Sequence, residues 1–255
     1  MAKRSTDSRR QKLAQIIVTE GQAKVGWLAN HFNVSTETIR KDLIYLETKG
    51  IAKKNHGRAV FSSDLIERPY TQKLSEHIEE KISIAKAASE YIPDNGAVIL
   101  DSGSTTYELA KLLTLRNGLT IFTNNLSAIS LLAQSNNTVY LLGGKIRPSS
   151  MALIGDWALN AVHSIKADIA FLGTDGFCDR EGPCSASFEE IEIKKAIIQQ
   201  SKKKYLLADY SKFERSDMFL YATWYDIDGL ITDSNAPAEA IKNISDKTNV
   251  NISFV

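Results

Sequence analysis

The chain has 255 residues, 43% of them hydrophobic and 24% charged, with 31 Lys and Arg set against 30 Asp and Glu. No apolar run approaches the roughly 20 residues that a membrane helix needs, and the basic N-terminus lacks the apolar stretch of a secretory signal. Cys178 and Cys184, the only two cysteines, have no histidine near them, so neither a disulfide framework nor a zinc site is indicated; the expectation is a cytoplasmic protein with reduced thiols, no metal and no membrane partner.

Near-neutrality conceals an asymmetry. Residues 1–60 hold 12 basic and 5 acidic residues, a local net of +7, while the remainder carries a net of −6. A basic module attached to an acidic domain is the usual signature of a protein that meets a polyanion. In chain order, a first helix is expected over 7–20, with Leu13, Ile16 and Ile17 at i, i+3, i+4 and Gly21 as its stop. A second fits 24–32 through Val25, Leu28, Ala29 and Phe32. Asn33 supports a tight turn, and Ser35 is a good N-cap for a third helix whose buried stripe is Ile39, Leu43 and Leu46, ended by Gly50. At about 100° per residue its opposite face carries Glu37, Thr38, Lys41 and Tyr45, with Arg40 on the flank. Strand-like segments at 51–54 and 59–61 then bracket a turn containing His56 and Gly57.

Two short helices joined by a tight turn, with the second offering a polar face, have the geometry of a helix that enters a DNA major groove; the hairpin is a wing for backbone phosphates. The expected DNA contacts are Ser35, Thr36, Thr38, Arg40, Lys41 and Tyr45 on the helix, and Lys53, Lys54, His56 and Arg58 on the wing. The N-terminal module is therefore read as a winged helix-turn-helix, all-α plus wing, over 1–61, followed by a polar linker over 62–75 containing Pro69.

Residues 76–255 are enough for one further domain. There, apolar strands alternate with small polar loops and helices: Val98-Ile99-Leu100 leads to 101–106, Leu119-Thr120-Ile121-Phe122 to 123–125, the strand at 139–142 to 143–145, that at 168–172 to 173–176, and Tyr205-Leu206-Leu207 to 208–213. Strand alternating with helix predicts an α/β domain with a largely parallel sheet, and ligands of such sheets bind outside the carboxyl ends of the strands. The five loops converge there. Asp101, Ser102, Gly103, Ser104, Thr105 and Thr106 offer hydroxyls and N–H groups at a helix start, suited to an anion. Thr123, Asn124, Asn125, Gly143, Gly144, Asp175 and Gly176 offer sugar-hydroxyl partners and close backbone approach. Lys145 and Lys212 offer positive charge, and Glu189 is assigned to the same site. The rest of the 189–195 charge run reads as a solvated helix face. Neither a G-x-x-x-x-G-K-[ST] nor a G-x-G-x-x-G loop is present, so no nucleotide cofactor is expected.

The stretch Val34-Ser35-Thr36-Glu37-Thr38-Ile39-Arg40-Lys41-Asp42-Leu43-Ile44-Tyr45-Leu46-Glu47-Thr48-Lys49-Gly50 with His56-Gly57-Arg58-Ala59 resembles the DeoR family of bacterial sugar-catabolism regulators. Its departures are Lys41 in place of an arginine, which loses the bidentate fork, Arg58 in place of a wing glycine, and Trp27 where the family commonly has a charged residue. Asp101-Ser102-Gly103-Ser104-Thr105, Thr123-Asn124-Asn125, Gly143-Gly144, 168–176 and Ser211-Lys212-Phe213 extend the resemblance over nearly the whole chain. It implies an effector domain similar to ribose-5-phosphate isomerase that senses a phosphorylated sugar or sugar alcohol. It also implies a dimer or tetramer that represses a carbohydrate-utilisation operon and leaves its operator when the effector binds. A sugar-phosphate isomerase-like enzyme with an accessory basic domain is the alternative. The isomerase pattern is incomplete here, because Gly173-Thr174-Asp175-Gly176-Phe177 lacks its second acid, so no catalysis is expected. The sugar, the operator sequence and the choice between repression and activation are not legible.

Overall fold

The computed structural model describes residues 6, 9–10, 12–13, 16–17, 22–48, 52–55, 58–61, 70–247 and 250–255. They divide between two compact units, Met1–Arg68 and Pro69–Val255.

In the first unit, β1 (Gln22–Lys24) runs into α1 (Val25–His31), followed by α2 (Thr36–Thr48), β2 (Ala52–Asn55) and β3 (Arg58–Phe61). The turn between the helices exists because Asn33 adopts φ +51°, a left-handed conformation that Asn tolerates better than most residues. Ser35 then caps α2, its Oγ accepting from the Thr38 N–H at 3.1 Å. Leu28, Ile39, Leu43 and Leu46 are essentially fully buried together with Leu13 and Ile17 of the helical residues before β1. At about 1.5–3 kcal/mol per large apolar side chain, this stripe is what orients α2. The wing pairs antiparallel with Lys53 opposite Val60 and Asn55 opposite Arg58. Strand β1 was not expected. Three residues are too few for a periodicity to show, yet it pairs with β3 and completes a sheet of order β1-β3-β2. His56 and residues 62–69 lie outside the described residues, as does much of the expected first helix.

The second unit begins with α3 (Tyr70–Ser75) and α4 (Ile78–Glu90). Tyr70 is buried, so the last six residues of the stretch read as linker are a packed helix. A seven-stranded sheet follows, in the order β14-β13-β11-β9-β4-β5-β6. Its strands are β4 (Ala97–Leu100), β5 (Thr120–Thr123), β6 (Thr138–Leu141), β9 (Ala167–Gly173), β11 (Ser201–Leu207), β13 (Gly229–Thr232) and β14 (Asn251–Phe254). All six pairings are parallel. Helices α5 (Ser104–Leu113), α6 (Leu126–Leu132), α7 (Asp156–His163), α8 (Phe188–Gln199) and α9 (Ala238–Lys247) lie between the strands in sequence. Two antiparallel pairs are added, β7 (Lys145–Arg147) with β8 (Ala152–Ile154), and β10 (Cys184–Ser185) with β12 (Phe219–Leu220). Two apolar clusters flank the sheet, one around Leu100, Leu109 and Phe171 and the other around Leu172, Ile197 and Leu206. Chain order reverses direction between β4 and β9, which is the switch point where open α/β sheets bind ligands.

Candidate functional site

On α2 the expected groove face is exposed: Ser35, Thr36, Arg40, Lys41 and Tyr45 reach solvent and Thr38 is half-buried. Arg40 pairs loosely with Glu37 at 3.5 Å, both side chains well exposed, and the Ser35 and Thr38 hydroxyls are 2.9 Å apart. Ser35 is thereby committed to its cap. A feature that sequence reasoning missed lies beneath. Asp42 is 1% exposed and accepts from Arg9 Nε at 2.7 Å and Arg10 Nε at 2.8 Å. The Arg10 guanidinium also sits 4.0 Å above the Tyr45 ring. The acid in the middle of this helix is thus turned inward and paired, and the outer face keeps Arg40 and Lys41 with Glu37 as the exposed acid among them. For Lys53, Lys54 and Arg58 the strands are described but not the side chains.

In the second unit, the five expected loops all leave the same edge of the parallel sheet. At the switch point Asp101 follows β4 and Gly173 ends β9, and Lys194 of α8 joins them. Its ammonium donates to Asp101 Oδ2 and to the Gly173 carbonyl at 3.0 Å, while the Gly173 N–H donates to the same carboxylate at 3.0 Å. Burial works against the Lys194 charge, but Asp101 and Glu190 outweigh it and the ammonium is held above its ordinary pKa. The Tyr221 hydroxyl donates to Gly173 O at 2.8 Å, closing the far side.

Next to this lies Asp175, whose Oδ1 accepts from Lys73 Nζ at 2.8 Å and whose Oδ2 accepts from the Ala186 N–H at 3.0 Å. Burial raises its pKa, but the Lys73 charge and these hydrogen bonds more than reverse that and hold it far below the usual carboxylate range. Gly176 is required here. A Cβ at its φ of +157° would lie 2.2 Å from the Arg215 carbonyl oxygen.

Several expected ligands are occupied by the fold itself. Asn125 caps α6, accepting from Ser127 N at 3.0 Å and donating to the Tyr70 hydroxyl at 3.2 Å. The Thr106 hydroxyl donates to Asp101 O at 2.6 Å, and Thr123 Oγ1 donates to Leu100 O at 2.8 Å. These three position the loops. Ser102 and Thr105 are buried, Gly103 and Ser104 are partly buried at the start of α5, and Lys212 is half-buried close enough to lower the pKa of Asp175 and Asp209. Gly143 and Gly144 take positive φ where the chain turns into β7.

The assignment of Glu189 needs correction. It is exposed and meets the equally exposed Lys145 at 3.0 Å, so both lie outside the buried constellation. The inward acid is Glu190, 5% exposed, which accepts from Ser150, from Ser185 at 3.3 Å and from Arg147 at 3.3 Å. Glu190, Lys194 and Ile197 stand at i, i+4, i+7 on one stripe, and the apolar Ile197 was the signal that this stripe faces inward. A solvated reading therefore holds for Glu189, Glu192 and Lys195 but not for Glu190 and Lys194.

Six buried side-chain polar atoms among the described residues have no hydrogen-bond partner, and five lie at this one sheet edge: Asp101 Oδ1, Ser102 Oγ, Asn124 Oδ1, Asp209 Oδ2 and Thr232 Oγ1. Three of the five are pure acceptors. A cavity of about 770 Å³ lies nearby among Phe177, Arg180, Phe213, Trp224 and Ile244, but none of the expected effector residues lines it. Among the described residues no group of three or more His, Cys, Asp or Glu is placed to hold a metal, and no helix is long and apolar enough to cross a membrane.

A winged helix-turn-helix unit joined to a parallel α/β unit with a polar, partly unsatisfied switch point defines a DNA-binding regulator with a sensor domain. Residues 9–64 match the DeoR-like helix-turn-helix domain and residues 76–234 the DeoR C terminal sensor domain. The chain belongs to the DeoR family of transcriptional regulators. It is 28% identical over 239 residues to the glycerol-3-phosphate regulon repressor of Escherichia coli K12, covering 93% of this chain and 95% of that one. It is 30% identical over 243 residues to a putative aga operon transcriptional repressor of Escherichia coli O157:H7, covering 94% and 90%. The regulator GolR of Listeria innocua is 33% identical over 240 residues, covering 93% and 94%. Among solved structures, ribose 5-phosphate isomerase from Methanocaldococcus jannaschii aligns with 54% of this chain and 55% of its own at 18% identity and a TM-score of 0.41. The full-length sorbitol operon regulator SorC of Klebsiella pneumoniae aligns with 92% and 97% at 11% identity and a TM-score of 0.42. Neither of these two likenesses bears on ligand or partner.

Proposed function

We propose that this protein represses a carbohydrate-utilisation operon in the cytoplasm, as a dimer or tetramer, and is released from its operator by a phosphorylated sugar or sugar alcohol. One observation carries the effector half: five of six orphaned buried polar atoms cluster at the sheet edge where α/β folds bind ligands. Acceptor atoms without donors suit a ligand rich in hydroxyls. The helix start at Gly103-Ser104-Thr105 suits the phosphate, and Lys212, close to Asp175 and Asp209, adds positive charge among the same loops. The name of one relative, a glycerol-3-phosphate regulon repressor, favours the same ligand class. The winged helix-turn-helix supports the DNA half, and self-association follows from it, since one such module contacts one half-site and a pair is needed for a palindrome.

Regulation without turnover is part of the proposal. An aldose–ketose isomerase needs a carboxylate base free to move a proton with a second acid beside it, whereas Glu190 is held by Ser150, Ser185 and Arg147 and Gly173-Thr174-Asp175-Gly176-Phe177 carries a single acid. The test is thermal-shift screening of the full chain against phosphorylated sugars and sugar alcohols, each beside its unphosphorylated form. A ligand present at 100 times its Kd stabilises by about 2.7 kcal/mol. Stabilisation by phosphorylated forms alone is expected, and Thr105→Ala and Lys212→Ala should diminish it. Silence across the panel overturns the effector assignment, and measurable isomerisation overturns the assignment of a pure regulator.

A further inference from the structure

Helix α3 has six residues, too few for a helix to persist without outside support. Its support comes from the effector loops. The buried Tyr70 hydroxyl accepts from Asn125 Nδ2 at 3.2 Å, in the loop after β5. Lys73 donates to Asp175 at 2.8 Å, in the loop after β9, with both side chains more than four-fifths buried. Just past the helix, His77 sits edge-on to Tyr210 at 5.0 Å, in the segment after β11. At the C-terminal end the ammonium of Lys81, 2% exposed, donates to the carbonyls of Lys73 and Glu76. Two of the loops that form the candidate effector site are therefore tied to one short helix and a third to His77 just past it, where the chain from the DNA-binding unit enters the sensor unit.

We propose that α3 is a strap fastened across the effector loops, with Lys73 the built-in occupant of Asp175, and that a ligand hydroxyl engaging Asp175 unfastens it. This rests on the sugar-phosphate reading given above. Asp175 Oδ2 already accepts from Ala186 N–H at 3.0 Å and lies 3.4 Å from Ser185 Oγ, so a new donor arrives on the Oδ1 side, where Lys73 sits. Because the helix cannot stand alone, loss of the Lys73 tie frees its last turn, including the carbonyls on which buried Lys81 depends. The release acts at Tyr70, where the chain from the DNA-binding unit enters the sensor unit.

Hydrogen exchange on the full chain tests this. Peptides spanning 70–77 are compared in the wild type, in Asp175→Asn and in Lys73→Met, with peptides covering β13 and β14 as the control for intact folding. Both variants are expected to speed exchange at 70–77 at least tenfold more than at the control peptides. Unchanged exchange at 70–77 in both variants overturns the strap. The wild type is then exposed to glycerol 3-phosphate, ribose 5-phosphate and glucose 6-phosphate. The compound that raises the melting temperature should speed exchange at 70–77 while slowing it at 101–106. A stabilising compound that slows exchange at both places means that binding closes the strap, and overturns the release step while leaving the sugar-phosphate reading intact. If none of the three stabilises the protein, the release step falls with that reading, whatever the variants show of the strap.

Discussion

Removing the Lys194 ammonium would leave Asp101 a buried carboxylate with only the Gly173 N–H to satisfy it. Breaking one side of a buried ion pair costs about 3–5 kcal/mol, so Lys194→Met should lower the unfolding free energy extrapolated from urea titration by about that much. A variant that also removes the carboxylate, Lys194→Met with Asp101→Leu, should regain part of it. A single variant as stable as the wild type would show that the pair is not the keystone of the switch point. Asp175 makes a different prediction. Its folded pKa is depressed below the ordinary 3.8, so its contribution to stability is complete above that value and is lost as pH falls below it towards the folded pKa. Acid unfolding of Asp175→Asn should therefore begin from a less stable protein at neutral pH and show a shallower loss below pH 3.8. Parallel acid titrations of the two proteins would contradict the assignment.

At the scale of elements, α2 is held by its apolar stripe and also by Asp42. Asp42→Ala leaves Arg9 and Arg10 without their shared acceptor. Hydrogen bonds to charged groups contribute about 1.5–3 kcal/mol each when made and cost more when one buried partner is orphaned. A loss of about 2–3 kcal/mol in the N-terminal unit is expected, read from the exchange of amides at 39–46; a loss within 0.5 kcal/mol, typical of surface substitutions, would contradict it. This tie was not legible in the sequence, because an Asp inside a polar helical segment has the same periodicity whether it faces water or two arginines from a distant helix. The stripe itself was legible, since Ile39, Leu43 and Leu46 repeat at helical spacing and are all buried. On α8 the same rule misled by one residue. Glu189 and Glu190 are identical in type, and only the phase set by Ile197 separates the exposed one from the buried one. Strands β1, β13 and β14, which the sequence pattern did not reveal, are three to four residues long, and their pairing is a tertiary property that local pattern does not encode.

For the whole molecule, the separation into a reading unit and a sensing unit predicts separable defects. Arg40→Ala should weaken operator binding about tenfold or more, as loss of one good base or phosphate contact of about 1–3 kcal/mol implies, while leaving thermal stabilisation by effector unchanged. Equal operator affinity in a gel-shift assay would remove Arg40 from the interface. The architecture was largely legible because strands, loops and helices alternate regularly along 97–213. What stayed hidden was the role of 70–75, where polar composition reads as linker although Tyr70 is 4% exposed.

The inward turn of Asp42 has a consequence for ionic strength. Binding to duplex DNA releases condensed counterions, and the logarithm of the affinity falls with the logarithm of salt by roughly 0.9 per phosphate neutralised. Arg9 and Arg10 are engaged with an internal acid, so they release no counterions on binding. A tally of the 12 basic residues in 1–60 therefore overstates the cations available by two per protomer. The measured slope should fall short of that tally by about 1.8 per protomer, and Asp42→Asn, by freeing both guanidinium groups to seek phosphates, should steepen it.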